Sequence, residues 1–166
     1  LHSESVRFTD YHVSPTCTPT RAALLTGRFS NRTGAWHTIM GRSLLREGEV
    51  TIANHLSGAG YSTGIFGKWL LGDYAPFRPL VRGFQEVFVH GGGGVGQTPD
   101  RWNNAYFDDR YTHNGSAFQA KGFCTDVFFQ QATEFIKREV AQGNPFFAYI
   151  STNAPHGPLH CPQEYL

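Results

Sequence analysis

An α/β fold, with a mainly parallel sheet flanked by helices, is what three features of this sequence predict. Helix and strand signals alternate along the chain. The run PFFAYIST at 145–152 is almost uniformly apolar, as expected of a strand buried on both sides. The stretch DVFFQQATEFIKREV at 126–140 places Val127, Phe128, Ala132, Phe135 and Ile136 on one face of a helix. Helices interposed between buried strands build this architecture.

The elements follow in chain order. Residues 6–13, VRFTDYHV, alternate in polarity and predict a strand. A helix is predicted over 19–26, with Pro19 early, where its missing N–H does no harm, and Gly27 as its stop. Thr51 caps a second helix that runs to about residue 56 and ends around Gly58 and Gly60. Residues 62–68, STGIFGK, read as a strand, and residues 86–89 as a short one. Thr125 or Asp126 caps the long helix. The Gly- and Pro-rich stretch 72–116 reads as a long excursion over the sheet edge. No internal repeat or domain linker interrupts the chain.

Composition narrows the class. With 166 residues, 40% hydrophobic and 16% charged, the chain is one globular domain or part of one. Its net charge of +1 is spread over scattered Lys and Arg residues, which argues against a nucleic-acid partner or an anionic membrane surface. Apolar runs fall far short of a membrane span, and no signal peptide is visible. The chain opens on LHSES and stops at CPQEYL after a loop rich in chemistry, so a piece of a longer protein is expected. Its three cysteines form no CxxC pair, against a zinc cluster. Cys124 and Cys161 read as two buried free thiols, with a single bridge between them as the alternative.

Several motif matches dissolve on inspection. Gly60 to Gly64 fits GxSxG around Ser62, and His90-Gly91-Gly92-Gly93 fits HGGG. A nucleophile elbow, however, needs strand, serine and helix in that order, and here helix and strand are reversed. GGGGVG fits GxGxxG by accident of a four-glycine run, and Pro99 follows where a helix should start. His156 and His160 have the spacing of a helical metal pair, but Pro155 and Pro158 make that segment a loop. Asn31-Arg32-Thr33 and Asn114-Gly115-Ser116 fit glycosylation acceptors, which matter only in a eukaryotic secretory setting.

What remains is a convergence. Cys17 follows the strand at 6–13, Lys68 ends the one at 62–68, and His156 follows the one at 146–152. Open α/β sheets bind ligands at the carboxyl ends of their strands. Cys17 also opens a helix, where backbone N–H groups and the helix dipole favour an anion. Arg21 lies one turn on, with a guanidinium fork suited to a tetrahedral oxyanion.

The string Cys17-x-Pro19-x-Arg21, followed by Leu25-Thr26-Gly27-Arg28, resembles the signature of the type I sulfatases, the arylsulfatase family of the alkaline-phosphatase-like fold. The likeness continues in order through GIFGKW (64–69), RGF (82–84) and NAPHGP (153–158). It implies that residues 1–166 are part of a single sulfatase catalytic domain, lacking its first strand and its C-terminal part. It implies hydrolysis of sulfate monoesters on a small molecule or glycan. In that family a separate formylglycine-generating enzyme oxidises the cysteine to Cα-formylglycine. The hydrated aldehyde attacks sulfur with one hydroxyl and releases sulfate through the other. By the same resemblance Arg21 holds the oxyanion, Lys68 binds sulfate and neutralises developing charge, and His156 contacts the ester and protonates the leaving oxygen.

The family's metal is Ca²⁺ or Mg²⁺, held through oxygens. Residue 17, as formylglycine, is the one ligand this chain would supply. The family's paired aspartates and its later Asp-Asn have no counterparts here, and Asp108-Asp109 sits in the glycine-rich excursion, not after a first strand. The 166 residues alone are therefore expected to be inactive. A second departure is Leu70: the family carries GKWHLG where this chain has GKWLLG. Two alternatives stay open, a phosphate or phosphonate monoester hydrolase of the same fold, and a non-catalytic homologue that binds sulfated ligands. The resemblance also implies a periplasmic, secreted or lysosomal setting, with the targeting signal outside these residues.

Overall fold

The computed structural model describes residues 2–39, 41–96 and 102–166. Helix α1 (Cys17–Thr26) ends on Gly27, whose φ of +66° lets its N–H donate back to the Ala23 carbonyl at 2.8 Å. A single turn, α2 (Ser30–Thr33), follows. Helix α3 (Ile52–Gly58) starts in a reciprocal capping box, in which Asn54 N–H donates to Thr51 Oγ1 and Thr51 N–H to Asn54 Oδ1. Then come β1 (Ser62–Lys68), β2 (Glu86–His90), β3 (Arg110–His113), β4 (Ser116–Gln119), the long helix α4 (Cys124–Gln142) and β5 (Phe146–Ser151).

The five strands form one sheet in the order β4-β3-β2-β1-β5. β1 lies between β2 and β5 and pairs in parallel with both, whereas β3 and β4 add an antiparallel edge. Alternation along the strands feeds two cores. Phe66, Phe88, Ala148 and Ile150 pack with Val127, Phe128 and Phe135 of α4 on one face. Ile65, Val87, Val89, Phe147 and Tyr149 pack with Ala22 and Leu25 of α1 and Ala53 of α3 on the other. The sheet is thus sandwiched between helices, and α1 meets it near the carboxyl ends of β1 and β5.

The RGF motif is a structural knot. Arg82 is buried and donates to the carbonyls of Glu47 (2.7 Å), Leu45 (3.0 Å) and Glu49 (3.3 Å). Its own carbonyl accepts from Thr51 Oγ1 at 2.7 Å, and that of Gly83 from Thr63 Oγ1 at 2.6 Å. Phe84 stacks on Phe147 and Tyr149 and meets Trp69 edge-on. Arg28, closing the LTGR string, reaches the same loop through Glu49 Oε1 at 2.8 Å. Two motifs far apart in sequence thereby brace one scaffold.

Several expectations are corrected. Residues 6–13 form no strand: Val6, Phe8, Tyr11 and Val13 are between 61% and 85% exposed, and an alternating apolar face without a ladder or a surface to cover it stays extended coil. Thr125 and Asp126 lie in the first turn of α4, whose N-cap is Phe123. β5 is half-buried because it is an edge strand. The stretch 72–116 is no mere excursion, since it contains β2 and β3. The β3–β4 hairpin turns on Asn114-Gly115, both with positive φ (50° and 90°), the strongest short hairpin signal there is. Asn114 Oδ1 accepts from Val87 N–H at 2.8 Å, which ties that turn to β2. Cys124 and Cys161 are free, the former buried and the latter only half-buried. Pro99 lies outside the described residues.

Two variants test the packing. Gly67 has φ +114°, and a Cβ there would overlap the Ser151 carbonyl oxygen across the β1–β5 ladder. Gly67→Ala is expected to cost about 3 kcal/mol or more in denaturant unfolding, and an unchanged midpoint would refute that close approach. Tyr111 is fully buried and its hydroxyl has no hydrogen-bond partner among the described residues, while burial pushes its pKa up. An unpaired buried hydroxyl costs about 1–3 kcal/mol, so Tyr111→Phe should leave stability equal or higher. A loss of more than about 1 kcal/mol would reveal a partner for that hydroxyl.

Candidate active site

The first turn of α1 sets the floor of the site. Thr16, its N-cap, makes no side-chain cap bond, so the opening N–H groups are left without the usual hydroxyl partner. Cys17 follows on that first turn, half-buried and free. Thr20 Oγ1 donates to the Ser14 carbonyl at 2.8 Å and fixes the approach of the chain into the helix. Thr18 Oγ1 reaches the Leu70 carbonyl at 3.4 Å and ties α1 to the end of β1.

Arg21 and Lys68 meet across that junction. Arg21 Nη1 donates to the Lys68 carbonyl at 2.9 Å, to Tyr149 Oη at 3.4 Å and to Ser151 Oγ. Lys68 is 2% exposed at the end of β1 and lines the same cleft as Cys17. Burial holds its pKa below the usual lysine range, with the neighbouring Cys17 side chain acting to raise it and Arg21 to lower it. Cationic groups from a helix and a strand end are packed together here.

Leu70 and His156 complete the wall. Leu70 sits in the left-handed region at φ +57°. β1 ends at Lys68 and the chain then turns, so residues 68 and 70 do not stand two apart on one extended segment. Both side chains nonetheless reach the same space. His156 is exposed in the loop after β5, its Nδ1 3.0 Å from the Gly157 carbonyl oxygen. That loop is braced by buried Asn153, whose Oδ1 accepts from Val95 N–H at 3.2 Å and whose Nδ2 donates to Tyr106 Oη at 2.7 Å. Tyr106 Oη in turn donates to the His156 carbonyl at 3.3 Å.

Cys17, Arg21, Lys68, Leu70 and His156 all line one cleft of about 890 Å³. Sequence reasoning missed other contributors, among them Tyr149, Ser151, Leu24 and Ile39. A usable signal existed for the first two, since residues two apart at the end of a strand share a face. Among the described residues no aspartate or glutamate lines this cleft. Among the described residues no three His, Cys, Asp or Glu side chains gather as metal ligands. The residues present therefore do not fit a Ca²⁺ or Mg²⁺ site by themselves.

The discarded motifs have structural uses. Ser62 begins β1, at the opposite end from Lys68, and donates to Glu139 Oε2 at 2.7 Å. Asp108 Oδ1 accepts from Gly122 N–H and Asp109 Oδ2 from Ala105 N–H, both at 2.7 Å, as loop staples. His160 packs its ring on Tyr106, 5.3 Å between centroids. No described helix is long and apolar enough to cross a membrane.

Comparisons with known proteins converge on one family. The family model described as Sulfatase matches residues 1–166. N-acetylgalactosamine-6-sulfatase of Sus scrofa is 32% identical, covering 94% of this chain and 34% of that protein. Arylsulfatase G of Homo sapiens is also 32% identical, covering 96% of this chain and 36% of that protein. The chain thus spans about a third of the length of these relatives. Among solved structures, Ps i-CgsB in complex with k-i-k-neocarrahexaose superposes with a TM-score of 0.80 at 28% identity, over 90% of this chain and 37% of that one. A second, solved in complex with its substrate D-glucosamine-2-N,6-O-disulfate, gives 0.68 at 26% identity, over 89% and 26%. Since the family match runs from the first residue to the last, this α/β chain belongs to the sulfatase family.

Proposed function

We propose that this chain carries the nucleophile position and the anion cradle of an enzyme that hydrolyses sulfate monoesters. The observation that carries the reading is the convergence of Cys17, Arg21, Lys68 and His156 on one cleft that no carboxylate lines among the described residues. Such a cationic site attracts a tetrahedral anion. Relatives named as sulfatases, and a neighbour solved with a disulfated glucosamine, support a sulfated small molecule or glycan as the substrate class.

Cys17 is the residue a formylglycine-generating enzyme would convert. Formylglycine at that position supplies a hydrated aldehyde, one carbon bearing both an attacking and a releasing hydroxyl. The chain's own residues do the rest. The guanidinium of Arg21 and the ammonium of Lys68 hold the sulfate oxygens and balance the charge that grows on them. His156, exposed at the cleft mouth, gives a proton to the departing alkoxide. A divalent cation needs oxygen ligands that these residues do not provide, so the metal belongs to carboxylates outside them. Residues 1–166 accordingly read as part of a single catalytic domain, acting in a periplasmic, secreted or lysosomal setting.

A second reading is favoured by Leu70, which neither donates nor accepts a hydrogen bond where the family has histidine. On that reading the protein binds sulfated ligands without turning them over. A phosphate or phosphonate ester would also fit the cradle, and comparing turnover of sulfate and phosphate esters separates those substrates.

Two variants of the full-length gene product test the reading. Arg21→Lys keeps the charge but loses the planar fork, so kcat should fall about tenfold or more. Near-normal kcat, with formylglycine confirmed at residue 17, would remove Arg21 from the site. Leu70→His restores a hydrogen-bonding group at a backbone position that histidine tolerates better than leucine. It should raise kcat, by up to about a hundredfold, with a smaller change in KM. A flat or lower kcat would mean that Leu70 belongs to an adapted pocket.

A further inference from the structure

We propose that Ser151, assisted by Tyr149, is a positioning residue that fixes the guanidinium of Arg21 for anion binding without neutralising it. This rests on the reading of Arg21 as a sulfate ligand. β5 places Phe147, Tyr149 and Ser151 on alternate positions, facing the side of the sheet that α1 covers. Arg21 projects from α1 toward that row. All its hydrogen bonds to described residues leave from Nη1, to the Lys68 carbonyl, Tyr149 Oη and Ser151 Oγ.

Each acceptor is itself immobile. The Lys68 carbonyl is part of the β1 backbone, at the end of the strand. Tyr149 is stacked on Phe84, with ring centroids 6.3 Å apart and planes 24° apart. Ser151 is 6% exposed, and its main chain lies against Gly67, where no side chain fits. A guanidinium held at one terminal nitrogen by three fixed acceptors loses the rotamer freedom of a surface arginine, which leaves Nη2 in one orientation while Nε stays buried without a partner among the described residues.

The chemistry of the acceptors matters as much as their number. All three are neutral, and among the described residues no aspartate or glutamate lines the cleft. A carboxylate would orient Arg21 equally well but would compete with an anionic ligand for its charge. Two hydroxyls and a carbonyl orient the group and leave the cation available. Ser151 is the one of the pair to test, because the Tyr149 contact is long at 3.4 Å and the Tyr149 ring is also part of the core.

The test titrates the full-length gene product, unmodified at Cys17, with inorganic sulfate by calorimetry. It compares wild type, Ser151→Ala, Ser151→Thr, Arg21→Met and the Ser151→Ala/Arg21→Met double variant. In parallel, ¹⁵N-detected NMR of the Arg21 guanidinium reports rotation about its Cζ–Nη bonds, a readout that does not depend on sulfate. Ser151→Ala is expected to weaken sulfate binding about tenfold, and Ser151→Thr, which keeps the hydroxyl, to restore it within about twofold. The Nη signals should be resolved in wild type and Ser151→Thr and averaged in Ser151→Ala. In the Arg21→Met background Ser151→Ala should have no further effect; an extra loss there would mean that Ser151 binds sulfate directly and would overturn the positioning role. Unchanged Nη signals and affinity in Ser151→Ala, with Arg21→Met still impaired, would also overturn it while leaving the functional reading intact. Equal sulfate binding by Arg21→Met and wild type would overturn the reading of Arg21, and the proposal with it.

Discussion

The closest constraint on the site is the approach of β5 to β1 at Gly67. Only a residue without a side chain admits the Ser151 carbonyl there, and φ +114° at Gly67 is a conformation that L side chains rarely adopt. That contact sets Ser151 beside the end of β1, where Lys68 emerges. Arg21 then bridges the two strands from the helix above, through the Lys68 carbonyl and the Ser151 hydroxyl. Burying the ammonium costs free energy, and burial first, with Arg21 adding to it, lowers the Lys68 pKa. On the proposed function, an anionic ligand would offset that cost.

The scaffold and the chemistry are carried by different motifs. Arg82, Gly83 and Phe84 contribute no side chain to the cleft, yet they clamp three loop carbonyls, receive the Thr51 and Thr63 hydroxyls and stack beneath Tyr149. Arg28 and Glu49 extend the same bracing to the end of α1. The Tyr149 ring transmits the order of this knot to the cleft, because its hydroxyl touches Arg21. A change in the RGF segment would therefore reach the cleft through packing alone.

Much of this was legible from residues. Gly27 as the stop of α1, Thr51 as the cap of α3 and the bounds of β1 follow from local chemistry that no distant contact overrides. The gathering of Lys68 and His156 was legible because strand ends in an open α/β sheet share a rim, whereas Cys17 arrives on the first turn of α1 and not from a strand end. What was lost depended on contacts remote in sequence. Residues 6–13 have the alternation of a strand but nothing in the described structure to pair with, and pattern alone cannot supply a partner. The β3–β4 hairpin was hidden in a glycine-rich stretch although Asn114-Gly115 announced it. Leu70 reached the cleft by a left-handed turn that alternation does not foresee. The hydroxyls of Tyr149 and Ser151 were invisible as partners of Arg21 because 128 and 130 residues separate them from it.

The central claim is that Cys17 is a precursor held at an anion site and not an ordinary thiol. The most direct measurement is the mass of the tryptic peptide spanning residues 8–21, from protein produced together with a formylglycine-generating enzyme. The account predicts that residue 17 appears as the aldehyde, trapped by a hydrazide reagent, and that Cys17→Ser produced the same way yields none. Unmodified cysteine at position 17 in correctly folded protein from such cells would contradict it.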